Sequence, residues 1–145
     1  MKKIYYGKQF IEEKDLKLLV KSAKQNLITT GPMVKLFEKK ISKYLNVKYT
    51  TVCNSGTAAM HLALMSIDLK KDDVIIMPSV NFISAFNMAN LFKAKIYLAD
   101  VDKTTGQMTS KNVDSCIKKN KLKNIKLIIT MFLGGYPENI TNFYN

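Results

Sequence analysis

The sequence predicts an α/β fold: a mainly parallel sheet with helices on both faces. Two observations predict it. From residue 49 onward, apolar runs of four to six residues alternate with stretches of helical period, in the order β-α-β-α-β-α-β. Between them stand small polar, glycine or proline junctions, notably Asn54-Ser55-Gly56-Thr57, Pro78-Ser79 and Gly134-Gly135-Tyr136-Pro137. Short buried strands separated by helices need crossover connections, and those are right-handed.

The elements follow in order. In Ile11 to Gln25, Leu16, Leu19, Val20 and Ala23 recur at helical spacing. Residues 26–32 form a loop. Val34, Phe37, Ile41, Tyr44 and Leu45 mark a second helix with Pro32 near its start. Tyr49 to Cys53 reads as a short strand, and Thr57 to Ile67 as a helix. Val74 to Met77 is a buried-type strand stopped by Pro78. Phe82 to Phe92 reads as a helix, Lys95 to Leu98 as a strand, Ser110 to Asn120 as a helix and Ile125 to Thr130 as a strand. The Gly134–Pro137 breaker ends that strand, and Glu138 begins another helix. The chain thus divides into an N-terminal helical segment, 1–48, and an α/β part, 49–145.

Composition narrows the function classes. The net charge is +12, yet all 23 cations are lysines. Base readout and bidentate phosphate recognition favour arginine, and these lysines are scattered along the chain, so nucleic acid is not the expected partner. A solvated basic surface is the plainer reading, with steering of a phosphorylated substrate as a further use. No run of about 18 apolar residues is present, and the start from Met1 lacks an apolar leader stretch. Cys53 and Cys116 are far apart, outside metal or redox spacing, as reduced thiols of a cytoplasmic protein would be.

In a parallel sheet ligands bind at the carboxyl ends of the strands. Three loops lie there: Asn54–Thr57, Pro78–Phe82 and Phe132–Pro137. The first turns a strand into a helix N-terminus through a small polar tetrapeptide. The first N–H groups of a helix lack intrahelical acceptors, and the dipole adds positive charge, which makes a phosphate pocket. The same residues also describe an ordinary helix capped by Asn54 or Ser55. Asp100 and Asp102 form a carboxylate pair, but turn-forming residues after a strand fit them better than a metal site, and no metal is expected. His61, amid apolar helix residues, reads as a packed histidine rather than a base. The methionines fall at core spacings.

These motifs, taken together, resemble the N-terminal part of the DegT/DnrJ/EryC1/StrS family of pyridoxal-phosphate-dependent sugar aminotransferases. The matching stretches run in the family's order. They are Thr30-Gly31-Pro32 with Val34, Phe37 and Glu38; Asn54 through Leu62; Asp73 through Ser79; Phe82 through Asn87; Ala99-Asp100-Val101-Asp102 with Thr105; and Gly135-Tyr136-Pro137. The start, Ile4 to Ile11, is most similar to the branch that aminates a nucleotide-linked 4-keto-6-deoxy sugar on the way to pseudaminic acid. The resemblance implies the large domain of the aspartate-aminotransferase fold (fold type I), with residues 49–145 an incomplete part of it. It implies pyridoxal 5'-phosphate as cofactor, an amino-acid donor such as glutamate, a nucleotide-linked keto sugar as acceptor, and a homodimer. Gly56, Thr57 and Ala58 would hold the cofactor phosphate, and Phe82 would stack on its ring, where a core aromatic is the competing reading. Tyr6, Thr29 and Gly31 match segments near the sugar nucleotide, where loop packing competes.

The departures matter equally. The Schiff-base lysine and the aspartate that meets the pyridine nitrogen lie, in the family, beyond the strand that ends near Thr130, so no catalytic residue is assigned. Phe132 and Tyr136 stand where the family commonly has His and Gln. In the family's large domain the strand order is 3-2-4-5-6-7-1, and the strands here correspond to the first four. Tyr49–Cys53 would then want a neighbour that these residues do not supply, which predicts a marginal fold prone to association. The expected state is an N-terminal fragment inactive alone. A non-catalytic phosphate-binding module, one half of a split enzyme with a separate C-terminal half, and more distantly a basic nucleic-acid-binding protein are the alternatives.

Overall fold

Ile75, Ile76 and Met77 are three consecutive residues with 1% or less of their surface exposed. Alternate side chains of a strand point to opposite faces, so a run buried without interruption requires cover on both sides. The computed structural model of the chain describes residues 5, 7–135 and 140–143, and it supplies that cover. The elements are α1 (Glu13–Ala23), α2 (Pro32–Leu45), α3 (Gly56–Ser66), β1 (Val74–Pro78), α4 (Ser84–Leu91), β2 (Lys95–Ala99), α5 (Ser110–Asn120) and β3 (Ile125–Ile128). Short 3₁₀ turns follow at Leu133–Gly135 and Ile140–Phe143. Two compact units result, Met1–Val52 and Cys53–Asn145.

In the second unit the three strands form one parallel sheet in the order β2-β1-β3. Val74 to Pro78 pair in register with Lys95 to Ala99. On the other side Val74 pairs with Ile125 and Ile75 with Leu127, so Lys126 is the extra residue of an irregularity. Ile75 and Met77 join Leu64, Leu69, Ala85, Ala89 and Ile129 in one core, beneath α3 and α4. Ile76 turns the other way and joins Ala99, Met108, Val113 and Cys116, beneath α5. Helices therefore cover both faces, as expected.

Local signals placed most elements well. α5 occupies its expected span because Thr109 and Asn112 form a reciprocal capping box, and Lys121 leaves the helix in the left-handed region at φ 52°. α4 begins two residues later than expected, at Ser84, and no side chain caps it, so Phe82 stands outside the helix. β3 ends at Ile128 instead of Thr130. The helix expected from Glu138 starts outside the described residues, and Ile140–Phe143 is a 3₁₀ turn.

One expected element is absent. Tyr49–Cys53 makes no strand ladder. A ladder needs a second strand, and among the described residues the three strands belong to the β2-β1-β3 sheet. Side chains of α2 serve the segment instead. Glu38 Oε1 accepts the Val52 N–H at 3.1 Å, and the Ser42 hydroxyl donates to Thr50 Oγ1 at 2.8 Å. Both cysteines are free thiols, Cys53 exposed and Cys116 buried.

Candidate functional site

Ser55 has extended backbone angles, φ −161° and ψ 159°, and its hydroxyl accepts the Ala58 N–H at 3.1 Å. Its carbonyl accepts the Ala59 N–H at 3.0 Å and, from the other side, the Cys53 thiol at 3.3 Å. The turn is thus a properly formed N-cap. It leaves the N–H groups of Gly56 and Thr57 at the open end of the helix, where no intrahelical acceptor exists. No acidic residue stands in the first turn, so the positive end of the α3 dipole is not neutralised from within. A Cβ built on Gly56 would meet nothing within 4 Å. The space over the first turn is open to a ligand.

Topology decides which edge this turn occupies. α3 ends at Ser66 and the chain enters β1 at Val74, with Leu64 and Leu69 packed under the sheet beside Ile75. α3 therefore runs against β1, and its N-terminus lies at the carboxyl edge of the sheet. Residues 79–83 leave β1 at that same edge. There Phe82 is 67% exposed and, with Pro78, Asn81 and Phe86, bounds a cavity of about 100 Å³. A flat aromatic so exposed, at the same sheet edge as an unneutralised helix end, suits a flat anionic ligand. The third loop, Met131–Gly135, leaves β3 at the same edge. Gln107, which no sequence pattern singled out, reaches it from the β2–α5 connection.

The other predicted positions divide. Tyr6 lies outside the described residues. Thr29 and Gly31 belong to the first unit, in the turn that enters α2. Gly31 is buried, and a Cβ there would sit 1.9 Å from the Leu27 carbonyl oxygen, so any side chain at 31 forces this turn open. That close approach is a packing reason for glycine which the sequence did not reveal. His61 packs edge-on against Phe92, with ring centroids 5.6 Å apart. A larger cavity of about 490 Å³ lies between β2 and α5, lined by Tyr97, Asp100, Cys116 and Lys119 among others, and neither Gly56 nor Phe82 touches it.

Asp100 and Asp102 serve the turn after β2. Asp100 accepts the Val101 N–H, and Asp102 Oδ1 accepts the N–H groups of Thr104 and Thr105, each at 2.9 Å. The bonds from Thr105 and Thr104 hold the Asp102 carboxyl below its ordinary value of 3.8. A depressed folded-state pKa contributes stability at neutral pH, and that contribution is lost as pH falls through the folded value. Acid titration of the Thr104 and Thr105 amide resonances should therefore show a midpoint below 3.8. A midpoint at or above that value would contradict the turn described.

Comparison with known proteins shows the family of the chain. Residues 9–144 match the DegT/DnrJ/EryC1/StrS aminotransferase family. The chain belongs to that family. Two Campylobacter jejuni relatives, each named UDP-4-amino-4,6-dideoxy-N-acetyl-beta-L-altrosamine transaminase, are similar along almost the whole chain. The enzyme of serotype O:23/36 is 32% identical over 98% of this chain and 39% of its own length. That of serotype O:2 is 29% identical over 97% and 38%. The chain thus spans about two fifths of the length of the curated relatives it matches. Among solved structures, the putative sugar aminotransferase Spr1654 of Streptococcus pneumoniae in its PLP-form superposes with a TM-score of 0.86 at 24% identity, over 97% of this chain and 35% of that one. Helicobacter pylori PseC, an aminotransferase of pseudoaminic acid biosynthesis, superposes at 0.82 with 21% identity, over 97% and 37%. The fold of this DegT-family chain is accordingly that of the N-terminal part of the fold-type I aminotransferase large domain, and its sheet order is β2-β1-β3.

Proposed function

We propose that this chain carries the phosphate and ring half of a pyridoxal 5'-phosphate site, in an enzyme that moves an amino group from an amino-acid donor, glutamate, to a nucleotide-linked keto sugar. Family membership and the transaminase relatives support the reaction class. The observation that carries it is the open first turn of α3, facing the same sheet edge as the exposed ring of Phe82.

The residues fit the group. The Gly56 and Thr57 N–H groups offer two donors to a phosphate, and the open space over Gly56 lets it approach the backbone. Ser55 uses a lone pair for the Ala58 N–H and keeps its own hydroxyl proton to donate to a phosphate oxygen. Ala58, at the third helical position, closes the cradle. Phe82 supplies the flat apolar face for the ring. When bound, the cofactor supplies the carbonyl that exchanges the amino group and the electron sink for it. Thr29, Gly31 and Tyr6 are proposed for the sugar nucleotide, and the working unit is a cytoplasmic homodimer. In these 145 residues no lysine stands in the family's Schiff-base motif, so the 145-residue chain binds without turnover.

The test uses pyridoxamine 5'-phosphate, because an aldehyde would react with some of the 23 lysines regardless of any site. Titration of the folded chain, followed by the ³¹P resonance, should show saturable binding displaced by inorganic phosphate. A phosphorus signal that never saturates would refute the proposal.

A further inference from the structure

Among the described residues, Gln107 is the one buried residue with an amide or charged side chain, at 1% exposed. Both ends of its amide are used on a single distant residue. Its Nε2 donates to the Leu133 carbonyl at 3.0 Å, and its Oε1 accepts the Leu133 N–H at 3.2 Å. The two residues are 26 positions apart. The side chain therefore does for Leu133 what a neighbouring strand would do, beyond the end of β3 at Ile128.

The backbone around Gln107 is itself fixed. Its carbonyl accepts the Asp102 N–H at 2.8 Å, and its N–H donates to Thr105 Oγ1 at 3.2 Å. Gly106, at φ +70°, brings the chain so close that a Cβ there would lie 2.9 Å from Leu133 Cδ2. Just past the clamp the chain turns through Gly134 and Gly135, at φ 66° and 74°. Gly135 N–H donates back to the Phe132 carbonyl at 3.0 Å. Nothing in this loop belongs to a strand or an α-helix, and among the described residues the Gln107 amide ties it to the framework through two hydrogen bonds. The loop emerges at the carboxyl edge of the sheet, and it holds Phe132 with 41% of its surface exposed.

We propose that Gln107 is a positioning residue of the site: it fixes the Met131–Gly135 loop at the carboxyl edge of the sheet and thereby presents Phe132 to the bound ligand. This inference rests on the cofactor-site reading above. A buried amide that loses its partner leaves the Leu133 N–H and C=O unpaired away from water, so the loop would release to rehydrate them.

The probe is again pyridoxamine 5'-phosphate with the full 145-residue chain, read together with hydrogen exchange at the Leu133 amide. Gln107→Met removes both bonds at nearly constant volume. It should speed Leu133 exchange and weaken pyridoxamine phosphate about tenfold in the folded fraction, the loss that one well-packed aromatic contact represents. Phe132→Ala alters an exposed side chain and should fold. It should weaken the probe by a similar factor while Leu133 stays protected. The double variant should be no weaker than the weaker single one, because both changes remove the same contact. Unchanged affinity in Phe132→Ala, unchanged affinity in folded Gln107→Met, or additive losses would each overturn the inference while leaving the cofactor reading intact. Failure of the unaltered chain to bind would instead remove the cofactor reading, and this inference with it.

Discussion

Ile76→Asp is expected to leave the Cys53–Asn145 unit without a cooperative fold. Ile76 is fully buried in the central strand of the sheet, against Ala99, Met108, Val113 and Cys116. Removing the isoleucine side chain alone would cost about 2–5 kcal/mol, by analogy with large-to-small changes in other cores. A carboxylate placed there faces only apolar groups and must either be buried unpaired or take up a proton, at a cost of several kcal/mol more. Domains of this size hold only about 5–15 kcal/mol in total. The variant should therefore lose dispersion in its amide spectrum and show no sigmoidal denaturant transition. Ile76→Val, which keeps the shape and removes one methyl group, should lose about 1 kcal/mol and retain the transition. The pair separates a general intolerance of mutation from the specific demand for an apolar side chain. A cooperative transition in Ile76→Asp near that of the unaltered chain would mean that the sheet is not covered on the α5 face.

That demand was legible in the sequence because Val74-Ile75-Ile76-Met77 is a run without alternation, which only a two-sided sheet explains. The same holds for α5, whose cap and period are local. The failures share a different cause. Tyr49–Cys53 has the composition of a strand, yet a ladder is a property of two segments, and here Glu38 and Ser42 of α2 serve it instead. Gln107 looks like any surface glutamine until Leu133, 26 residues away, is brought beside it. A packing reason for glycine at position 31, its close approach to the Leu27 carbonyl, is likewise visible only in three dimensions. Phe82 was placed at the start of a helix, and the absence of a capping side chain at α4 left it two residues outside. For Tyr49–Cys53 and Gln107 the deciding partner is not encoded in local spacing, whereas for Phe82 the missing cap is itself local.

Gly56→Asp is expected to abolish pyridoxamine 5'-phosphate binding while leaving the fold at least as stable. The two effects have opposite signs for one physical reason. Gly56 is the first residue of α3, its φ is not in the left-handed region, and a Cβ there meets nothing within 4 Å. A side chain is therefore sterically free. A carboxylate in the first turn interacts favourably with the positive end of the helix dipole, worth about 0.3–1 kcal/mol at an exposed site. The same carboxylate occupies the space a phosphate would take and repels its charge. Two like charges about 4 Å apart near a protein surface repel by roughly 4 kcal/mol before salt screening, and the phosphate also loses its close approach to the backbone. Affinity should fall by on the order of a hundredfold or more. Gly56→Ala separates the two contributions, since it adds bulk without charge and should weaken binding much less. If α3 were only a capped helix, Gly56→Asp would gain stability and the phosphorus titration would match that of the unaltered chain, whatever the source of the signal. Stability raised and binding lost in the same molecule is the combination that an anion site at this helix end requires, and a capped helix without a ligand has no reason to produce it.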